Sequence, residues 1–310
     1  GRTLAIHEDT IVVGAWLGLG QVMLFQRNQD GANQWGQTQT LDGGIPVTTT
    51  PRSASFGYAL AFDGSSLVIS APKVGLKAED VPAGTPAPAR NFEGATYIYR
   101  QENGQWVREA KLFSSDTDLN NLDPVSVFSS GDAVTSLTLN GDLLFVGTPF
   151  GKTNNVMAGK VFVYQRGAGT LGTFGQPGGW GEIAVLSPSD GVAKDHFGQA
   201  LYAVDDGVFV SSEKQGVGKV YFYRNPALGQ ASVNAATGQS PLAWNEIYSF
   251  SSSTNGSTAF GLPLVGSDDT IAIGDRAANA GRGGIATYPK DALFAADPNA
   301  TPNVPPTATA

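Results

Sequence analysis

Few side chains in this 310-residue sequence could perform catalysis or bind a transition metal. There is no cysteine, which excludes disulfide frameworks, thiolate metal sites and cysteine nucleophiles. The two histidines, His7 and His196, lack the companion residues of a catalytic or metal-binding constellation, so surface or packing roles are favoured for both. The sequence therefore predicts no catalytic residues and indicates a protein that is not an enzyme.

One acidic tract carries oxygen ligands at alternating positions, as calcium-binding loops do. It contains Asp116, Asp118, Asn120 and Asp123. Calcium takes about six to eight oxygen ligands, and its loops commonly use a fixed spacing around a glycine turn. Asp123 departs from that spacing and the tract has no glycine, so a solvated acidic loop is the competing interpretation. Asp116, Asp118 and Asn120 are a calcium candidate, and no other cofactor is expected.

Composition and charge argue against several classes of partner and against a helical fold. The chain has 19 basic and 27 acidic residues and a formal charge of -8, which gives no electrostatic footprint for nucleic acid or an anionic membrane. No apolar run approaches the roughly 18 residues of a membrane span. The 40 glycines and 18 prolines interrupt the chain too often for a helical bundle, so many turns and short elements are expected.

An internal repeat defines the elements that would position any site. Phe-Gly at positions 56, 197 and 260 is followed eleven residues later by an apolar run, and similar runs begin at positions 11 and 144. A third run opens with glycine and reaches an aromatic residue five positions later in five copies: Gly20 to Phe25, Gly94 to Tyr99, Gly159 to Tyr164, Gly218 to Tyr223 and Gly283 to Tyr288. A fourth run extends from tryptophan to leucine or phenylalanine in four copies: Trp35 to Leu41, Trp106 to Leu112, Trp180 to Leu186 and Trp244 to Phe250.

These runs predict an all-β fold, a β-propeller of four-stranded antiparallel blades. Five repeats are visible in a domain over 1–296, at about 1–55, 56–132, 133–196, 197–259 and 260–296. The last repeat is incomplete, because no tryptophan run follows Tyr288. Residues 297–310 are a Pro/Thr/Ala-rich tail or linker, whose composition cannot form a core.

The repeat resembles the FG-GAP repeat, the blade unit of integrin α-chain propellers and of many bacterial surface proteins. The second unit matches best, with Phe56-Gly57, then Ser70-Ala71-Pro72 and Gly94-Ala95-Thr96-Tyr97-Ile98-Tyr99. The resemblance covers about residues 1–290 and implies a non-catalytic propeller used for extracellular binding or adhesion. The family's calcium loops do not carry over, because the corresponding turns are short and the turns at Asp63 and Asp142 offer one acid each.

Binding residues are expected on the connections from the second to the third strand and from one blade to the next, which emerge on one face of a propeller. The two longest such connections are 72–91 and 113–132. The candidates are Trp16, Lys73, Lys77, Glu79, Asp80, Arg90, Asp116, Asp118 and Asp123. Tolerated insertions are the alternative interpretation of the long loops, and Trp16 could instead fill the central mouth of the propeller.

Partner and location follow from these expectations. A protein or glycan at the cell surface is the expected partner, and the glycosylation sequons at Asn255 and Asn299 suit a secreted or cell-surface protein. One alternative is a structural subunit of a surface filament or array, a homo-oligomer or polymer assembled by strand complementation at the incomplete blade. A propeller hydrolase or lyase is the second alternative, although the sequence shows no matching set of histidine, paired acids and nucleophile.

Overall fold

The computed structural model describes residues 1–45, 54–74, 94–113, 136–152, 156–168, 179–204, 207–213, 218–225, 244–252, 260–267, 269–290 and 293. The chain divides into two compact units. The first unit comprises Gly1–Leu144 with Val163–Ile183, and the second comprises Phe145–Phe162 with Ala184–Ala310.

The described residues contain nineteen strands in five antiparallel sheets, each a meander of consecutive strands. The first blade contains β1 (Thr3–His7), β2 (Thr10–Ala15), β3 (Gln21–Arg27) and β4 (Trp35–Leu41). The second contains β5 (Leu60–Phe62), β6 (Ser66–Ala71), β7 (Ala95–Glu102) and β8 (Gln105–Leu112). The third contains β9 (Ser136–Asn140), β10 (Leu143–Thr148), β11 (Lys160–Arg166) and β12 (Trp180–Leu186). The fourth contains β13 (Leu201–Val204), β14 (Gly207–Ser212), β15 (Lys219–Arg224) and β16 (Asn245–Ser251), and the fifth contains β17 (Phe260–Gly266), β18 (Thr270–Asp275) and β19 (Gly284–Pro289).

The predicted fold class, an all-β propeller of four-stranded antiparallel blades with an incomplete last blade, is confirmed. Four sheets have four strands, and among the described residues the fifth has three. Every residue of β6, β10 and β14 is buried, which explains why these second strands are continuous apolar runs rather than alternating ones. The helix α1 (Ala278–Gly281) is a single turn, and no helix among the described residues is long and apolar enough to cross a membrane.

The Phe-Gly pair joins consecutive blades. In the first unit Phe56 forms a parallel bridge with Gly20, the glycine just before β3, and its N–H donates to the Leu19 carbonyl at 3.1 Å. Gly20 has a φ of 83°, and a Cβ added there would overlap the Phe56 backbone. Only glycine fits such a close approach in that conformation.

The second unit repeats this joint. Phe197 bridges Gly159 in the same parallel manner, and its N–H donates to the Ala158 carbonyl at 2.8 Å. A Cβ on Gly218 would likewise overlap the backbone of Phe260, the first residue of β17. The glycine of one repeat and the phenylalanine of the next are therefore two halves of one packing contact.

The second strand also fixes the Phe-Gly loop of its own blade. Ser70 Oγ accepts the Ala59 N–H at 2.8 Å, and Ser211 Oγ accepts the Ala200 N–H at the same distance. These serines occupy the first position of the Gly-Ala-Pro part of the motif in their repeats. The residues that carry the resemblance to FG-GAP repeats thus make contacts within and between blades.

Candidate binding surface on the strand connections

Trp16 lies on the connection between β2 and β3 and is half-buried. Its ring packs against Tyr58 with centroids 5.3 Å apart, and the Arg2 guanidinium lies 5.2 Å from its centroid. Leu17, the next residue, is 76% exposed. Arg2, Trp16, Leu17 and Tyr58 form one surface, the Trp16 cluster, that combines aromatic, cationic and apolar groups.

Backbone contacts hold the Trp16 cluster in place. The Arg2 N–H donates to the Gly14 carbonyl at 3.0 Å, and Thr3 Oγ1 donates to the Gly57 carbonyl at 2.8 Å, one residue before Tyr58. The Ser55 N–H donates to the Gly18 carbonyl at 3.4 Å. The connection is thereby tied to the second blade, so its side chains are displayed on a fixed backbone.

Of the remaining predicted binding residues, the structure describes only Lys73. It follows β6, is half-buried, and its N–H donates to the Ala54 carbonyl at 3.2 Å. The other candidates lie outside the described residues: Lys77, Glu79, Asp80, Arg90, Asp116, Asp118, Asn120, Asp123 and the sequon residues Asn255 and Asn299. The structure therefore brings Trp16 together with residues that the sequence did not single out, and it leaves the acidic tract as a prediction.

The second unit has its own cluster on equivalent connections. Arg276 Nη2 lies 2.6 Å from Glu213 Oε1, while His196 Nδ1 lies 3.6 Å from Glu213 Oε2. The His196 ring packs on Phe150 with centroids 4.9 Å apart. The Arg276 side chain is 60% exposed, so this Glu213 cluster offers a solvent-facing cation and an imidazole.

A third polar group lies between β12 and the fourth blade, where it fastens a loop. Asp190 accepts hydrogen bonds through both carboxylate oxygens, from Tyr221 at 2.6 Å and from Lys219 at 2.7 Å. Burial, followed by the hydrogen bond to Asp190, raises the pKa of Tyr221 above its ordinary value. The hydroxyl therefore keeps its proton and remains a donor to Asp190.

Tyr223 and Glu246 extend this fastening. The Tyr223 hydroxyl donates to the Ser187 carbonyl at 2.6 Å and lies 3.0 Å from Glu246 Oε2. Glu246 also accepts from the Ser189 N–H at 2.9 Å and from its hydroxyl at 3.0 Å. The sequence contains residues of the right types, since Tyr221 and Tyr223 alternate on β15 and Asp190 lies in the connection before the fourth blade. Their spacing in the sequence does not show which of these residues pair.

Asp195, in the connection before the fourth blade, is an acid that contacts the backbone of its own loop. Asp195 is fully buried, its Oδ2 accepts the Val192 N–H at 2.8 Å, and its carbonyl accepts the Ser212 hydroxyl at 2.7 Å. The neighbouring His196 faces Glu213. Within the part of the chain that the structure describes, no group of three or more His, Asp or Glu side chains is placed to hold a metal ion.

Comparisons with known proteins add no family to the fold described above. A scan against protein-family models finds no match to this chain, and a search of curated proteins finds none either. The chain is a β-propeller of four-stranded antiparallel blades, and its resemblance to FG-GAP repeats depends on the repeat residues alone.

Proposed function

We propose that this protein is a non-catalytic binding or adhesion module that engages a protein or glycan through the Trp16 cluster. The observation that carries the proposal is Leu17, an apolar side chain that is 76% exposed and directly follows Trp16 in the chain. Trp, Tyr and Arg supply most of the binding energy in protein interfaces, and all three are present in this cluster. The half-buried Trp16 ring needs no large rearrangement before it contacts a partner.

The division of labour within the repeat supports this proposal. Gly20, Phe56 and Ser70 are engaged in backbone contacts within and between blades, so they are not available to a ligand. Leu17 and Gly18 lie on the connection between β2 and β3. A Cβ added to Gly18 would meet nothing within 4 Å, so the space around this residue is open. Connections of this kind carry binding residues in proteins with a rigid scaffold.

The Glu213 cluster of the second unit is a separate charged surface, on which Arg276 offers a solvent-facing cation to a partner. The long connections at 72–91 and 113–132 remain candidate binding segments in this proposal. Secretion or display on a cell surface is the setting we propose, because the sequons at Asn255 and Asn299 have meaning only there.

The test compares the chain with its Trp16→Ala/Leu17→Ser variant on a printed glycan array and on a panel of purified extracellular proteins. The matched control is Val107→Ser, because Val107 is an apolar residue of β8 that is 42% exposed outside the cluster. We expect ligands that bind the unaltered chain and the control but not the double variant. Equal binding by all three proteins, or binding by none, would refute the proposal.

A structural subunit is the second candidate function, favoured by the fifth blade. Among the described residues β19 pairs with β18 on one side only, so its other edge is open to a strand from another chain. Polymers seen by electron microscopy would favour strand addition at β19. Particles no larger than single chains at high concentration would refute it.

A further inference from the structure

Two connections of the second unit carry exposed apolar side chains. Val156 and Met157, on the connection between β10 and β11, are 38% and 36% exposed. Val192, on the connection between β12 and β13, is 52% exposed. Single apolar residues are common on protein surfaces, so the meaning of these three depends on whether the two connections lie together.

Backbone hydrogen bonds join the two connections. The Lys194 N–H donates to the Met157 carbonyl at 2.8 Å. The turn that holds Val192 is closed by the fully buried Asp195, whose Oδ2 accepts the Val192 N–H at 2.8 Å and whose own N–H donates to the Val192 carbonyl at 3.3 Å. The apolar residues therefore belong to one fixed surface, and we name Val156, Met157, Val192 and Lys194 the Met157 surface.

The lysine at the junction of the two connections has a strained backbone. Lys194 has a φ of 69°, in the left-handed region that glycine adopts readily and lysine adopts rarely. Its side chain is exposed and forms no ion pair with any residue that the structure describes. Strain of this kind is concentrated at functional sites, so the position of Lys194 is consistent with contact to a ligand.

The charges around the Met157 surface favour an acidic ligand. Lys152, between β10 and β11, also lacks an ion pair within the described part of the chain. The acids of the neighbouring connections are engaged inside the chain, since Asp190 contacts Lys219 at 2.7 Å and, in the adjoining Glu213 cluster, Arg276 contacts Glu213 at 2.6 Å. The surface therefore offers ammonium groups to a partner although the whole chain has a formal charge of -8.

We infer that the Met157 surface binds a protein segment that carries both acidic and apolar side chains. The apolar side chains of the partner pack on Val156, Met157 and Val192, and its carboxylates pair with Lys194 and Lys152. Methionine suits this role because its flexible thioether adapts to irregular apolar surfaces, and it is enriched in protein interfaces. An anionic glycan would pair with the lysines but would leave the apolar side chains without a matching surface. The site shares no residue with the Trp16 cluster and does not depend on it.

The test uses short synthetic peptides of serine and glycine that carry glutamates, leucines or both, each with a fluorescent label. Fluorescence anisotropy measures their affinity for the whole chain. We expect the mixed peptides to bind at least about tenfold more tightly than peptides with glutamate alone or leucine alone, since only the mixed peptides match both parts of the surface. Their affinity should fall as the salt concentration rises, because salt screens the pairing with lysine.

Two variants alter the surface. Met157→Gln/Val192→Gln removes the apolar contacts, and Lys194→Gly removes the cation and relieves the left-handed strain. We expect each variant to bind the mixed peptides at least about tenfold more weakly, while Lys194→Gly unfolds at a temperature no lower than the unaltered chain. The matched controls are Val185→Gln and Arg224→Gln, which replace an exposed apolar residue and an exposed cation of the same unit and should leave the affinity unchanged.

Three results would overturn the inference. One is the absence of binding by any class of peptide, and another is equal affinity of the mixed peptides for the unaltered chain and both variants. The third is binding of a heparin oligosaccharide that requires Lys194 but neither Met157 nor Val192, without peptide binding, which would assign the surface to an anionic glycan. Because these peptides and variants concern the second unit alone, the outcome is separate from the test of the Trp16 cluster.

Discussion

The Tyr223 hydroxyl donates a 2.6 Å hydrogen bond to the carbonyl of Ser187, 36 residues earlier in the chain. Ser187 directly follows the last residue of β12, so the bond ties the third strand of one blade to the end of the preceding one. The first unit contains the same relationship, because the Tyr164 hydroxyl donates to the carbonyl of Phe113, the residue after β8, at 3.3 Å. In these two repeats the aromatic residue that ends the third run is thus a tether between blades.

Removal of this tether should destabilise the fourth blade. We expect Tyr223→Phe to lower the free energy of unfolding by about 1–2 kcal/mol, because the Ser187 carbonyl and Glu246 both lose a partner. Denaturant unfolding followed by tyrosine and tryptophan fluorescence measures the change. The control is Tyr202→Phe, whose hydroxyl makes one exposed contact of 3.2 Å to Ser267 and should change stability by less than about 0.5 kcal/mol. Equal effects of the two substitutions would contradict the tether.

Stability should fall in alkaline solution as buried tyrosines ionise. Burial is the main cause of the raised pKa at Tyr99, against the opposing charge of Arg108, and takes it from 10.0 to about 12. Burial also raises the pKa of Tyr221, Tyr223 and Tyr248. A raised pKa means that the folded state holds the proton more tightly, so the stabilisation is complete below pH 10 and is lost as pH rises through about 12.

The ultraviolet absorbance of tyrosinate measures this effect. We expect the native protein to show a group of tyrosines that ionise well after the same residues in the denatured chain. The Tyr99→Phe variant should lose less stability between pH 10 and 12 than the unaltered chain, since the residue responsible is gone. Identical alkaline curves for the native and denatured protein would contradict the burial of these hydroxyls.

Arg166 joins the second and third blades within the first unit. Its guanidinium contacts Glu109 Oε1 at 2.6 Å, Ser66 Oγ at 2.7 Å and Asp142 Oδ1 at 3.1 Å, and it lies 4.8 Å from the centre of the Trp180 ring. Glu109 is 9% exposed, so Arg166→Ala leaves a nearly buried carboxylate without its cation. We expect a loss of about 2–4 kcal/mol in the free energy of unfolding.

The comparison for this prediction is Arg100→Ala. Arg100 pairs with Glu102 at 2.5 Å, but the two side chains are 53% and 40% exposed. Exposed ion pairs contribute about 0–1 kcal/mol, so this variant should unfold close to the unaltered protein in urea. If Arg166→Ala lowered the free energy of unfolding no more than Arg100→Ala does, the contacts around Arg166 would not stabilise the first unit as predicted.

Gly159, the glycine that precedes β11, should not tolerate a side chain. Gly159 has a φ of 93°, and a Cβ there would overlap the backbone of Phe197. We expect Gly159→Ala to cost more than about 3 kcal/mol, through backbone strain and displacement of the adjoining blade. Gly104→Ala is the control, because Gly104 also has a positive φ, of 80°, but has open space around its Cα. Calorimetric unfolding should show a loss of about 1 kcal/mol for the control, and similar losses for both would contradict the close contact.

The fold could be predicted because each repeat makes the same contacts, and these contacts require the same residue types at the same positions. The repeat places Gly20 against Phe56 and Gly159 against Phe197, and each pair forms one contact between the backbones of consecutive blades. No residue other than glycine fits at positions 20 and 159. The four short runs per unit follow from turn residues and strand propensity, which are local. The incomplete fifth blade was evident from the missing tryptophan run after Tyr288.

The candidate site was predicted only in part, because its contacts join residues that the sequence separates. Trp16 was found as a tryptophan outside the repeat, but its packing on Tyr58 depends on how the second blade meets the first. The exposure of single residues was equally hidden, since Leu4 is 67% exposed and Leu201 is 7% exposed although both occupy the same position of the repeat. The residue types of a strand indicate which side chains can be buried, whereas the packing of other elements against the strand determines which ones are.

The most direct measurement of the proposed function is the equilibrium affinity of the chain for a ligand identified on the glycan or protein panel. We expect the Trp16→Ala/Leu17→Ser variant to bind at least about tenfold more weakly than the unaltered chain, because an anchor of this kind contributes about 1.4 kcal/mol or more. The Val107→Ser control should bind with unchanged affinity. Equal affinities for the double variant and the unaltered chain would contradict a binding surface centred on Trp16.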